Sequence, residues 1–237
     1  MKDPDASFLS TFITPNHAHY VLAHLGIARC EADGWTLAVV GSVGESLSLT
    51  LEDIAGLPAR RVTVTLACAG DPHHLDLPKR RASTAVWRGV PLADLLALAR
   101  PAPGASHIWL DGADHGIYKV GTPYEANVDR YRKDISLVKA LEPDVLVAYE
   151  MNGEPLPAEH GFPLRMIVPG YYGTSSVKWL RQITVATRPA KGLFSSVLYT
   201  TNRPGGRPTK QPVAEMVVNS LIIEPRPNAV WDIGQNR

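Results

Sequence analysis

Twenty prolines and nineteen glycines are scattered through 237 residues. Proline removes a backbone donor and clashes inside a helix, and glycine is entropically costly there, so interruption at this density leaves room for short elements only. Long helices are not expected, and no internal repeat orders the interruptions. Between them the hydrophobic period changes from segment to segment. Residues 35–41 predict a strand and 46–49 a second. Thr50 with Asp53 three residues on has capping-box character and opens a short helix to Leu57, ahead of Pro58. In RVTVTLA, residues 61–67, Val62, Val64 and Leu66 alternate with Thr63 and Thr65, predicting a half-buried strand with Cys68 at its end. Residues 91–98 predict an amphipathic helix with proline in its first turn. Further strands are predicted at 107–110, 145–151, 164–168 and 182–186, with Asn152-Gly153 as a hairpin turn and a helical turn over 175–179. Short strands and helices without regular alternation predict an α+β domain rather than a doubly wound sheet.

The totals narrow the function classes. A formal charge of +1 with 20% charged residues carries no electrostatic footprint for nucleic acid, and no block of like charge marks a membrane-seeking tail. No apolar run approaches the roughly 18 residues of a membrane helix. The first residues, MKDPDASFLSTF, lack the basic and apolar regions of a signal peptide, which predicts a cytoplasmic protein, with the periplasm as the alternative where a leader has been removed. Cys30 and Cys68 are far apart and belong to no CxxC, haem-attachment or zinc spacing, so neither a disulfide framework nor a structural zinc is indicated. A lone thiol at a strand end, before the turn at Gly70, is either an inert small hydrophobe or a soft ligand aimed out of the scaffold.

Three blocks give the chain a resemblance. The densest is LVAYEMNGEPLPAEHGFPLRMIVPGYYGTSSVKWL, residues 146–180; VTLACAG with STAVWRGVPLADLL and the weaker TPNHAHYVLAH are the others. Together they resemble the molybdopterin-dependent sulfite oxidases from about Ile13 to Pro225. The resemblance implies a molybdopterin-binding catalytic domain over 1–189, a linker over 190–215 and, over 216–237, the start of an immunoglobulin-like β domain that dimerises the family's proteins and lends a substrate-site arginine. It makes Cys68 the thiolate ligand of molybdenum, a soft anionic sulfur joining the two sulfurs of a pterin dithiolene. It places Tyr20, Val21, His24, Asp114, His160, Arg165, Ser176, Val177 and Lys178 around the cofactor, with Arg165 and Lys178 suited to its phosphate. Tyr199 falls near the family's active-site tyrosine, which orients substrate or passes protons. Trp87 matches a tryptophan on the scaffold side and reads as core packing.

The substrate side departs from the pattern. Leu22 stands where the family carries arginine, Ala23 where it carries asparagine, and Asp71, Pro72 and His73 where it carries asparagine and a pair of arginines. A tryptophan expected before STAVW is missing. Protonated His73, or Lys79, Arg80 and Arg81 of the altered loop, would return positive charge to the pocket. The resemblance implies oxygen-atom transfer on sulfite or a related small substrate. Electrons would pass to an external acceptor, cytochrome c-like or oxygen, since no haem motif is present. The lost arginines leave two alternatives: the same cofactor acting on a sulfoxide or small organic molecule, and a cofactor-binding homologue without turnover. Partners are then a small-molecule substrate and an electron acceptor, without nucleic acid or membrane, and a second copy of the chain where the C-terminal domain is present.

Overall fold

The computed structural model describes residues 11–70, 81–119, 125–202 and 210–218. Fourteen strands and three short α-helices alternate irregularly, so the fold is α+β as expected. In chain order they are β1 (Thr36–Gly41), β2 (Leu47–Thr50), α1 (Leu51–Ala55), β3 (Arg60–Ala67), β4 (Ala82–Pro91), α2 (Leu92–Ala99) and β5 (His107–Gly112). There follow β6 (Gly116–Lys119), β7 (Glu125–Val128), β8 (Arg132–Ser136), α3 (Leu137–Ala140), β9 (Leu146–Met151), β10 (Glu154–Pro155), β11 (Arg165–Ile167) and β12 (Leu180–Ala186). The last two are β13 (Thr200–Asn202) and β14 (Lys210–Pro212), paired antiparallel.

Local chemistry explains several boundaries. Thr50 caps α1 by accepting from the Asp53 amide at 3.1 Å, and the Asp53 carboxylate accepts from the Thr50 amide at 2.8 Å, completing the capping box. Asn152 and Gly153 take φ of 54° and 86°, the left-handed pair of a two-residue hairpin between β9 and β10. The helical turn predicted over 175–179 instead occupies Gly173–Ser175, and the chain then extends to Trp179, whose φ is 51°.

Among the described residues, two five-stranded sheets form the body, with β6–β7 and β13–β14 as separate two-stranded pairs. One runs β2-β1-β12-β5-β8, with β1 and β12 parallel; the other runs β10-β9-β4-β3, with β11 on β9. Strand period sends alternate residues of β9 to opposite cores: Val147 joins the main core between the sheets, while Leu146 and Ala148 join a smaller one with Leu66 and Trp87. Trp87 is fully buried there. Each fully buried Leu or Val of these cores contributes about 1.5–3 kcal/mol. At the crossing of β4 and β9 the register shifts at Gly89, where a Cβ would lie 2.1 Å from the Val147 carbonyl oxygen, so only glycine allows the approach.

The segment read as a linker carries structure: a π-helical turn at Leu193–Val197 and the β13–β14 pair. Beyond it, Met216 N–H donates to the Gly170 carbonyl at 2.8 Å. Most of the β domain expected to start over 216–237 lies outside the described residues.

Candidate active site

The strand ends and turns of both sheets converge on one cleft. β3 delivers Cys68, 8% exposed, with its amide donating to the Arg81 carbonyl at 2.8 Å. Its thiol lines the cleft rather than being walled in by aliphatic side chains. The N-terminal segment is clipped along β4: Thr14 N–H donates to the Thr84 carbonyl at 2.8 Å and Tyr20 N–H to Ser83 Oγ at 3.1 Å. This brings Tyr20, Leu22, Ala23 and His24 to the cleft wall. Gly173 accommodates the Tyr20 hydroxyl, which a Cβ would meet at 2.3 Å. Val21 between them is 45% exposed and does not line the cleft.

Asp114 is placed by the end of β5. Arg132 on β8 grips Asp111 through two nitrogens at 2.5 and 2.7 Å, and the two chains beyond stay zipped by Gly112 N–H to the Tyr131 carbonyl and Tyr131 N–H to the Asp114 carbonyl, at 2.9 and 3.0 Å. Gly112 is obligatory, since a Cβ would meet Asp114 Oδ1 at 2.4 Å and the Lys178 carbonyl at 2.8 Å. Burial pushes the Asp114 carboxyl up to about 6, and its Oδ1 is buried without a hydrogen-bond partner.

His160 closes a 3₁₀ turn that Gly161 ends at φ 110°. Its Nε2 lies 3.0 Å from the Asn16 carbonyl, which can only accept, so Nε2 carries the proton and Nδ1 is the acceptor in the neutral ring. Arg165 begins β11, donates to the His160 carbonyl at 3.1 Å and lies 5.0 Å over the Trp87 ring, with Nε buried and unpartnered. Lys178 donates to the Glu159 carbonyl at 2.9 Å and lies 4.4 Å over Trp179. Ser176 Oγ accepts from Val168 N–H at 3.1 Å, and Val177 O accepts from Met166 N–H at 2.8 Å, so this segment is laced to β11. The positive φ of the bulky Trp179 marks a strained backbone beside Lys178, held by the indole N–H on the Ala158 carbonyl at 2.9 Å.

Arg165 and Lys178 give this wall two desolvated cations. Among the described residues neither Arg165 nor Lys178 has a carboxylate at salt-bridge distance. Burial, then repulsion by Arg165, lowers Lys178 to about 7 and His160 to about 4; burial brings Arg165 itself down to about 10. Desolvated cations bonded to carbonyls with no carboxylate in salt-bridge reach, the charges of Asp114 and Glu159 acting on Lys178 only from farther off, an unpartnered Arg165 Nε and an unpartnered Asp114 Oδ1 fit a polar ligand that brings both donors and negative charge. A phosphorylated pterin has that character.

The opposite wall is aromatic. His24 Nε2 lies 2.5 Å from the Tyr199 hydroxyl, its ring stacks 5.2 Å from Phe194, and Tyr118 and Tyr131 flank it at 5.6 and 6.3 Å. Burial lowers the His24 imidazole, with the Lys178 and Arg81 charges adding to the effect. Burial chiefly, then the Cys68 charge, raises the Tyr199 phenol, which therefore keeps its proton at neutral pH. His73, with Asp71, Pro72, Lys79 and Arg80, lies outside the described residues.

Of the residues singled out in the sequence, Tyr20, His24, Cys68, Asp114, His160, Arg165, Ser176, Val177, Lys178 and Tyr199 thus meet in one cleft. Sequence reasoning missed Tyr131, Thr174 and Trp179 of its lining, and His19, buried behind it 5.1 Å from His160 with Nε2 unpartnered. Only His19 carried a signal, a histidine among the apolar residues of the early block.

Comparison with known proteins places the chain as a whole in a family. A model of the oxidoreductase molybdopterin binding domain matches residues 24–194. The chain belongs to that family. Within it, mitochondrial sulfite oxidase of Homo sapiens is 35% identical over 99% of this chain and 45% of its own length. The sulfite oxidase of Gallus gallus is 34% identical over 98% of this chain and 54% of its own, and the NADH nitrate reductase of Petunia hybrida 36% identical over 81% and 22%. Among solved structures, the sulfane dehydrogenase SoxCD from Paracoccus pantotrophus superposes with a TM-score of 0.77 at 26% identity, covering 91% of this chain and 54% of that one. The chain spans about half the length of the sulfite oxidases it matches. Its similarity extends to both the sulfite oxidases and the nitrate reductases of that family.

Proposed function

We propose that this domain holds a molybdenum–molybdopterin cofactor, with Cys68 as the protein's ligand to the metal, and oxidises sulfite or a related small substrate. When bound, the cofactor supplies oxygen-atom transfer and accepts the two electrons that an external acceptor then removes. The residues of the chain bind, orient and hold protons. Arg165 and Lys178 take the cofactor's phosphate, His160 Nδ1 and the free Asp114 oxygen meet its polar ring edges, and Cys68 faces the space that His24 and Tyr199 close. Tyr199 keeps its hydroxyl proton at neutral pH and offers it to His24 or to a substrate oxyanion.

The observation that carries the reading is the meeting of one thiol, in a single cleft, with the desolvated cations Arg165 and Lys178, neither of which has a carboxylate in salt-bridge reach among the described residues. Among the described residues no three His, Cys, Asp or Glu side chains gather to hold a metal, so Cys68 suits a metal whose other ligands arrive with a cofactor. Protein made in a host able to assemble the cofactor is expected to carry molybdenum near one atom per chain by elemental analysis. Cys68→Ser is expected to abolish sulfite-dependent reduction of ferricyanide, and undiminished turnover by that variant would remove the assigned ligand.

A second reading has an observation of its own. Leu22 and Ala23 line the cleft, so these two positions offer a dianionic substrate no charge and favour a neutral sulfoxide or small organic molecule. Activity on such a substrate with none on sulfite would select it.

A further inference from the structure

Lys133 is a buried ionisable group that the site as described leaves without a task. It stands on β8 with 2% of its surface exposed, between the half-buried Arg132 and Asp134. Its ammonium donates 3.2 Å to the Phe194 carbonyl and lies 5.4 Å from the centroid of the Tyr199 ring. Burial lowers the amine to about 8, so at neutral pH it is still mostly charged. A desolvated ammonium is costly unless its surroundings compensate it. Here they do so with one carbonyl, the negative π-face of one phenol and the Asp134 charge next to it in sequence.

Both partners belong to one short segment. Phe194 lies in the π-helical turn Leu193–Val197 and Tyr199 follows closely, while Ser195 Oγ donates to the Arg132 carbonyl at 2.8 Å, so β8 grips the turn beside Lys133. Turns with an extra residue recur at functional sites. The same turn sets the Phe194 ring against His24, and His24 meets the Tyr199 hydroxyl at 2.5 Å. Lys133, Tyr199 and His24 form one continuous chain of contacts from the interior to the cleft.

Resting on the sulfite-oxidase-type reading of this cleft, we propose that Lys133 is a positioning residue for Tyr199: anchored on the Phe194 carbonyl, its ammonium holds the phenol by the ring face and fixes the hydroxyl between His24 and the substrate. A cation at the ring face also draws electron density from the phenol and makes it a stronger donor. Leu22 offers that hydroxyl no charge from the cleft side, so the charge reaches it from behind.

The test uses the cofactor-loaded protein labelled with 3-fluorotyrosine, the Tyr199 fluorine signal being identified by its loss in Tyr199→Phe. Lys133→Met keeps the side-chain length and removes the charge; it is expected to shift and broaden the Tyr199 signal while the other tyrosine signals stay in place. With sulfite it lowers kcat roughly 10- to 100-fold with KM little changed. In the Tyr199→Phe background it adds nothing further, because it acts through that hydroxyl; a lysine needed only for the fold would give effects that multiply. Lys133→Gln, which can still bond to the Phe194 carbonyl, separates charge from hydrogen bond, is expected to match Lys133→Met, and serves if methionine prevents folding. An unmoved Tyr199 signal in a folded Lys133→Met or Lys133→Gln protein overturns the proposal whatever the substrate. Absence of sulfite turnover in the unaltered loaded protein overturns the substrate reading instead, and the fluorine signal still decides the role of Lys133.

Discussion

The two walls of the cleft differ in kind. On the cofactor side, Asp114, His160, Arg165 and Lys178 are held by backbone: carbonyls of Asn16, Glu159 and His160 accept from three of them, and Gly112 makes room for the fourth. On the substrate side, His24 and Tyr199 are held by other side chains, an aromatic box drawn from four separate segments, and Leu22 and Ala23 add no polar group at all. Backbone partners survive substitution of the residues that supply them, whereas a side-chain box changes whenever one member does. The backbone-held group should therefore tolerate changes in its neighbours, and the aromatic box should not.

The sharpest way to break the contrast is at Arg165. Replacement by methionine removes a buried cation that among the described residues has a carbonyl and an indole for partners but no counter-ion, so the cofactor-free fold is expected to melt at the same temperature or higher. Retention of molybdenum should fall by roughly 10- to 100-fold, the loss of about 1.5–3 kcal/mol from a hydrogen bond to a charged group. Elemental analysis after gel filtration and a thermal melt on the same sample read both effects. A protein that unfolds without Arg165 would make this wall scaffold rather than binding site.

How much of this was legible in the sequence follows the same division. β3 announced itself by alternation, α1 by its capping box and the β9–β10 turn by Asn-Gly, because each is decided within a few residues. β4 is the longest strand and was not read as one: its buried face is Ser83, Ala85, Trp87 and Gly89, too small in most places to stand out from the polar face. β8 was hidden by its charges, since RKDIS sends a lysine inward where the period wants a hydrophobe. His160, Arg165 and Lys178 came from a resemblance in one dense block and Asp114 from outside it, and all four meet in one cleft. Of the aromatic box only His24 and Tyr199 were singled out; Tyr118, Tyr131 and Phe194 did not show, because they become their neighbours only after three strands and a π-helical turn have folded.

On the substrate side, Leu22→Arg restores the residue type the family carries. A charge-assisted hydrogen bond to a dianion is expected to raise kcat/KM for sulfite about tenfold, mostly through KM, with the gain shrinking as salt is raised. Steady-state kinetics at two ionic strengths check it. A rise of the same size for a neutral sulfoxide would mean that the arginine acts by reshaping the pocket and not by its charge.

The smallest effect separates the walls by pH. The Lys178 amine sits at about 7 in the fold against an ordinary 10.5, because burial and Arg165 disfavour its charge. Between those values the unfolded chain holds a proton that the fold has released, so stability rises with pH, by at most about 1.4 kcal/mol per unit for one proton. Lys133, at about 8, adds to the rise from that pH upward. Below 6.5 the picture is mixed: lowered His19 and His160 make stability rise with pH, while the raised Asp114 makes it fall between 3.8 and 6. Above 9 the raised Cys30 thiol, and above 10 the raised Tyr131 and Tyr199 phenols, oppose the lysines. The window from pH 7 to 9 is therefore the clean one, and there the melting temperature of cofactor-free protein should climb by a few degrees. In the loaded protein a phosphate beside Lys178 stabilises the ammonium, raises its pKa and flattens the slope, leaving only the contribution of Lys133 above pH 8. Parallel slopes in the two forms would place the anion elsewhere than on Lys178 and would take the phosphate end of the cofactor off this wall.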